Sequence, residues 1–220
     1  MVRGVPYTIA GGSMGKRMEL WLVRHGETTR SVAREIAGWS DPPLTERGRR
    51  EAMALKPRLA PERFDGVWSS DLDRARTTAA LAWGEARPDA RLREFNFGEM
   101  EEVPYRDIDP DLATQAMRFR DFQAPGGEDT AGFRSRLEGF ITELPPGRHL
   151  LFVHGGVIRA LTQDMGLDRF VVTGTVVGVD WTEKRLLFID EPEGVEPVFE
   201  GATRSLEKEA TPPPATGRDQ

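Results

Sequence analysis

Apolar residues along this chain gather into short blocks, each closed by glycine, serine, proline or charge. Residues 19–23 (ELWLV) form such a block and stop at Arg24-His25-Gly26, the pattern of a buried strand meeting a turn. Thr45 follows Leu44 at a helix N-cap position, and the predicted helix runs to about Leu59, strained at Pro57. Residues 64–68 (FDGVW) read as a second strand, stopped by Ser69-Ser70-Asp71. An Ala-rich helix is predicted from Leu72 to about Trp83, capped by Ser70 or Asp71. Residues 91–95 read as a further short strand, and 96–127 as an irregular polar segment with a helix over 111–122. From Asp129 to Leu144, residues Phe133, Leu137, Phe140, Ile141 and Leu144 keep helical spacing until Pro145-Pro146. The run LLFV at 150–153 predicts another strand, stopped by His154-Gly155-Gly156. A helix then carries Val157, Ile158, Leu161 and Met165 on one side, with Gly166 as its C-cap. Residues 175–181 and 185–190 make a hairpin around Thr182-Glu183-Lys184.

Strands alternating with helices predict an α/β fold, a three-layer α/β/α sandwich around a mainly parallel sheet. Met18 opens the first strand pattern, so the folded domain is expected over residues 18–200. Residues 1–17 hold four glycines and no apolar run, and read as a flexible leader. Residues 201–220 include TPPPATGRDQ and read as a disordered tail.

Composition narrows the function. The 220 residues carry 30 Lys+Arg against 36 Asp+Glu, a net charge of −6. That balance argues against nucleic acid or an anionic membrane surface as a partner. No stretch approaches the roughly 20 apolar residues that span a bilayer, and a cytoplasmic location is expected. The absence of cysteine removes disulfides, thiolate metal sites and thiol nucleophiles together. The histidines are His25, His149 and His154. Two of them share a setting, an apolar strand before and a glycine after: LWLVRHG and LLFVHGG. Ligands of open α/β sheets bind beyond the carboxyl ends of the strands, so His25 and His154 are expected on one sheet edge. His149 opens its strand at the remote end and reads as structural. Arg24 adjoins His25, and Arg74 falls in the first turn of a helix that starts from the same edge. Arginine's planar fork and a helix N-terminus both suit phosphate oxygens.

Arg24-His25-Gly26-Glu27-Thr28 resembles the signature of the histidine phosphatase superfamily, which includes cofactor-dependent phosphoglycerate mutases. The likeness runs over about residues 18–182, through DPPLTERG at 41–48, SSDLDRARTTA at 69–79, LREFNFGEM at 92–100, PGGED at 125–129 and VHGGVIR at 153–159. Within the superfamily the chain is most similar to small phosphatases of the alpha-ribazole phosphatase type. The resemblance implies a phosphoglycerate mutase-like fold, His25 as phosphoryl-accepting nucleophile, and Arg24, Arg74 and His154 around the phosphoryl oxygens. It implies Glu94 as general acid, with Glu99 and Glu101 as weaker candidates, and that role calls for a raised pKa. Thr28, Ser31 and Gly155 are further candidates for binding the phosphate ester. No metal or other cofactor is implied.

The chain also departs from the family pattern. Arg30-Ser31 stands where many relatives carry Trp-Asn, Met100 replaces a tryptophan, Glu102 a glycine, and Asp129 a serine. The expected activity is hydrolysis of a small phosphomonoester, alpha-ribazole 5′-phosphate being one candidate. The rivals are a phosphoglycerate mutase, which carries a longer insertion than the roughly 60 residues between Glu94 and His154, and an inactive binding protein. The 175–190 hairpin could offer an edge strand to a second copy, making a homodimer possible.

Overall fold

A computed structural model describes residues 17–193; the expected leader, apart from Arg17, and the tail lie outside the described residues, as do residues 194–200 of the expected domain. Six strands form one sheet in the order β3-β2-β4-β1-β5-β6. They are β1 (Met18–Arg24), β2 (Gly66–Ser70), β3 (Arg87–Asp89), β4 (Gly147–Val153), β5 (Val176–Asp180) and β6 (Arg185–Asp190). β3, β2, β4 and β1 are parallel, while β5 runs antiparallel to β1 and hairpins into β6.

The central strands are buried on both faces, which is why they read as unbroken apolar runs. Leu20 and Leu22 of β1, with Leu151 and Val153 of β4, pack among Phe133, Leu137, Val157 and Ile158. Their neighbours Trp21, Val23, Leu150 and Phe152 point the other way, toward Leu55, Leu59, Ala79 and Ala82. The first set covers the sheet with α6 (Thr130–Glu143) and α7 (Gly155–Thr162). The second covers it with α2 (Glu46–Ala54), α3 (Lys56–Leu59) and α4 (Asp73–Ala82). The period-2 alternation of strand side chains therefore builds the expected three layers.

Four local expectations change. The helix over 46–59 breaks at Leu55, because Pro57 opens the short α3 instead of lying inside a longer helix. The strand expected at 91–95 lies earlier, at Arg87–Asp89, and a 3₁₀ turn over Ala90–Leu92 follows it. The helix expected over 111–122 is α5 (Pro110–Arg118), ended by Phe119 in the left-handed region. Neither Ser70 nor Asp71 caps α4: the Asp41 carboxylate, from another segment, accepts the Asp73 and Arg74 N–H groups. That cap depends on tertiary proximity, so local sequence could not reveal it. Among the described residues no helix is long and apolar enough to cross a membrane.

Candidate active site

β1 ends at Arg24 and β4 at Val153, and the two residues are register partners. The chain therefore delivers His25 and His154 side by side, with ring centroids 5.1 Å apart and edge-to-face. The pairing follows from two adjacent parallel strands ending together, as the twin strand-His-Gly patterns predict. Arg74 enters from the first turn of α4, just beyond the end of β2. Arg24, His25, Thr28, Ser31, Arg74, Glu94 and Gly155 line one cavity of about 60 Å³.

Each polar group in it has a definite partner set. The His25 Nδ1 lies 2.8 Å from the Gly26 carbonyl. A carbonyl can only accept, so Nδ1 carries the proton and Nε2 keeps a lone pair. Burial, then the Arg74 and Arg24 charges, hold His25 well below the ordinary histidine range, so its ring is neutral. His154 is lowered well below that range by burial first, then by Arg74 and His25. Arg74 is 1% exposed; it donates to the Ser40 and Gly38 carbonyls at 2.8 and 2.7 Å and meets Asp41 at 3.3 Å. Arg24 donates to the Val171 carbonyl.

Four buried nitrogens around this cavity have no hydrogen-bond partner within the described protein: both ring nitrogens of His154, Arg24 Nε and Arg74 Nε. Buried polar groups in folded proteins are nearly always paired. The guanidiniums of Arg24 and Arg74 stand beside the Glu94 carboxyl, with Asp41 against Arg74 as well, and their Nε groups are left for an acceptor. The N-terminus of α7 adds its dipole, since Gly155 is the first residue of that helix and lies against Arg24. Unpaired N–H donors and a helix N-terminus together suit a small oxygen-rich anion.

Glu94 is fixed by the backbone. Its Oε1 accepts the Phe95 N–H at 2.8 Å and its Oε2 the Gly156 N–H at 3.0 Å. Burial pushes its carboxyl up; those two N–H groups, Arg74 and Arg24 pull the other way but do not prevail. The raised pKa that the acid role requires therefore comes from burial. Neither weaker candidate shares this setting. The Glu101 carboxylate accepts N–H groups from Trp39 (2.8 Å), Ser40 (2.7 Å) and Phe97 (3.1 Å). It thereby holds the loop whose Gly38 and Ser40 carbonyls grip Arg74, with Gly38 at φ +51. Glu99 packs against Gly126. Thr28 and Ser31 line the cavity, but their hydroxyls lie 2.9 Å from each other, in the capping box of α1 (Thr29–Ala33). His149 hydrogen-bonds the Pro145 carbonyl at 2.8 Å, toward the far end of β4.

Of the aromatic and methionine residues in 96–127, Phe97 and Tyr105 line the phosphate-sized cavity. With Met100, Met117, Ile36, Ile108 and Phe170 they also form an adjoining, almost wholly apolar hollow of about 30 Å³. Phe119 is core, packed edge-to-face with Phe95, Phe133 and Phe170. Among the described residues no group of three or more His, Asp or Glu could hold a metal ion. Sequence reasoning missed Glu101 as a brace and Trp39, whose Nε1 donates to the Glu94 carbonyl at 2.8 Å. Glu101 stands within the family fingerprint and was open to discovery; Trp39 had no local signal.

A doubly covered, mostly parallel sheet with two histidines and two arginines at its carboxyl edge defines an α/β protein whose cavity lies where ligands of such sheets bind. The family model of the histidine phosphatase superfamily (branch 1) matches residues 20–171, and the chain belongs to that superfamily. It is 39% identical over 156 residues to the adenosylcobalamin/alpha-ribazole phosphatase of Salmonella typhimurium strain LT2, covering 66% of this chain and 77% of that one. It is 34% identical over 186 residues to the probable phosphoglycerate mutase GpmB of Escherichia fergusonii, covering 77% and 80%. Its fold matches the crystal structure of phosphoglycerate mutase from Thermus thermophilus with TM-score 0.74 and 40% identity, over 80% of this chain and all of that one. A putative alpha-ribazole-5′-P phosphatase from Escherichia coli K-12 superposes with TM-score 0.67 at 26% identity, over 82% of this chain and 98% of that one.

Proposed function

We propose that the chain is a metal-independent phosphomonoesterase working through a phosphohistidine. The carrying observation is the convergence of His25, Arg24, Arg74 and Glu94 on one small cavity, with the His154 ring 5.1 Å from that of His25. The neutral His25 Nε2 attacks phosphorus, and the bond from phosphorus to the ester oxygen breaks. Glu94, protonated, gives its proton to the departing alkoxide. Arg24, Arg74 and His154 face the charge on the phosphoryl oxygens, the main catalytic contribution open to a protein in phosphoryl transfer. A water then attacks the phosphohistidine while the Glu94 carboxylate takes its proton, releasing inorganic phosphate and restoring both groups. Thr28, Ser31 and Gly155 form the wall of the same cavity.

The substrate we favour is a phosphate ester whose leaving alcohol carries an apolar ring, such as alpha-ribazole 5′-phosphate. The apolar hollow beside the cavity supports it, as does the 39% identical relative's name. The mutase reading draws on the GpmB likeness. Against it, the only cations among the described residues lining the cavity are Arg24 and Arg74, both of which this mechanism assigns to the phosphoryl group. A phosphoglycerate carboxylate would need another. The test is phosphate release from p-nitrophenyl phosphate by wild type and His25→Ala, beside 3-to-2 phosphoglycerate interconversion. Hydrolysis that depends on His25, with an acid-labile phosphoenzyme absent from His25→Ala, is expected. Equal rates from the two proteins remove the nucleophile; efficient interconversion with negligible hydrolysis removes the phosphatase.

A further inference from the structure

Arg136 lies on α6, outside the cavity, yet every one of its five N–H donors is directed at the segment that carries Glu94 or at that segment's brace. Nη1 donates to the Arg91 and Arg93 carbonyls at 2.7 and 2.9 Å. Nη2 donates to the Glu94 carbonyl at 2.7 Å and to Glu128 Oε2 at 2.9 Å. Nε donates to Glu128 Oε1 at 2.7 Å. Glu128 in turn takes the Asn96 N–H at 2.9 Å and gives its own N–H to the Asn96 carbonyl at 2.9 Å. The guanidinium also packs 4.7 Å from the Phe133 ring centroid.

This web grips residues 91–96 on both sides of Glu94. The segment has little regular structure of its own beyond one 3₁₀ turn at Ala90–Leu92, so something outside it must set its path. The Glu94 carbonyl is the junction, since it accepts from Arg136 on one side and from the Trp39 indole on the other. We infer that Arg136, with Glu128, is a positioning residue for the general acid, fixing the main chain from which the Glu94 carboxyl reaches the leaving group. The inference rests on the acid role assigned to Glu94 above. Only a guanidinium suits the task, because lysine has three donors and no planar fork.

A misplaced acid hurts some substrates more than others. Nitrophenolate departs without a proton, whereas benzyl alkoxide needs one, and the two esters are similar in shape. The readout is kcat/KM for p-nitrophenyl phosphate against benzyl phosphate, which follows phosphoenzyme formation alone. Glu94→Gln should lower the benzyl rate by about a hundredfold or more, and the nitrophenyl rate far less. Arg136→Met should lower the benzyl rate at least about tenfold more than the nitrophenyl rate, with Arg136→Lys in between. Arg134→Met, on the same helix but paired among the described residues with the exposed Asp164 at 3.2 Å, should keep the wild-type ratio. A folded Arg136→Met protein that loses the same factor on both esters overturns the inference. If that protein does not fold by circular dichroism, the ratio in Arg136→Lys decides the matter in the same way. Should Glu94→Gln treat the two esters alike, the acid assignment fails and the positioning role falls with it. Discrimination by Glu94→Gln but not by the Arg136 variants overturns the positioning role alone.

Discussion

Gly156 offers the sharpest separation of activity from stability. A methyl group at its Cα would lie 3.1 Å from the Glu94 Cδ and well inside contact distance of Oε1, with Phe119 Cζ at 3.3 Å. Gly156 is the second residue of α7, so the helix backbone stays and the flexible end of Glu94 gives way. Gly156→Ala should therefore push the carboxyl off its two N–H donors by about 1 Å. Losing those bonds at a buried carboxyl costs about 1–3 kcal/mol. Alanine in a helix returns about 0.5–1 kcal/mol. The net loss is about 1 kcal/mol, a fall in Tm of about 2–4 °C at this chain length. Activity should suffer far more, since a 1 Å misplacement of a reacting group lowers rates by about a hundredfold. Steady-state hydrolysis of benzyl phosphate, with a thermal melt of the same sample, measures both. Near-wild-type hydrolysis would refute the placement of the acid, and a fall in Tm beyond about 10 °C would show that the helix, not Glu94, had moved.

Four further outcomes follow from the same geometry. His25 and His154 both titrate below the ordinary value of 6.5 when folded, so below that pH the unfolded chain binds more protons and stability falls, by up to about 1.4 kcal/mol per pH unit for each ring. Denaturant unfolding between pH 7.5 and 5.5 should show this, and His154→Asn should remove about one proton's worth of slope; an unaltered slope contradicts the buried neutral ring. Glu94 has the opposite sign, since its raised folded pKa means stability is lost as pH rises through it, and Glu94→Gln should regain stability at pH 8 relative to pH 4.5. Glu101→Gln should loosen the Gly38–Ser40 carbonyls from Arg74 and raise KM for every ester alike, because it leaves one of three N–H groups poorly matched; a selective effect on benzyl phosphate would place Glu101 in acid catalysis instead. Filling the apolar hollow with Ala113→Leu should lower kcat/KM for benzyl phosphate by about 1–3 kcal/mol while sparing methyl phosphate, and equal losses would detach the hollow from substrate choice.

The parts of the fold that were legible in the sequence are those that local pattern dictates. β1 and β4 were readable because burial on both faces leaves no polar position to blur the run, and the β5–β6 hairpin because its turn is short. The meeting of His25 and His154 was readable because parallel neighbours end at one edge. The α4 cap was not: Asp41 reaches it from more than thirty residues away in sequence. β3 was misplaced because Arg87-Pro88-Asp89 has no apolar signature and exists only by pairing with β2. Glu94 was located by family likeness, since one acid among 36 carries no local mark. The burial that raises its pKa emerges only once α7 and the Glu101-braced loop close around it.

Two departures from the family pattern explain each other in three dimensions. Glu102 stands where relatives carry glycine, and its backbone is indeed left-handed, at φ +66, a conformation that disfavours a side chain. Arg30 stands where many relatives have tryptophan. The two meet as an ion pair at 2.8 Å, and Arg30 also pairs with Glu35, a residue of the cavity wall. The ion pair ties the 98–103 turns to α1 at the rim of the site. Arg30 and Glu102 lie outside the set of His25, His154, Arg24, Arg74 and Glu94. On the proposed function, the phosphoryl chemistry belongs to those five residues and the rim to the rest of the substrate. Exchanging the pair together, as Arg30→Trp with Glu102→Gly, should leave hydrolysis of methyl phosphate in place and alter the ranking of larger esters. A loss of methyl phosphate hydrolysis would mean that the rim and the phosphate pocket are mechanically one.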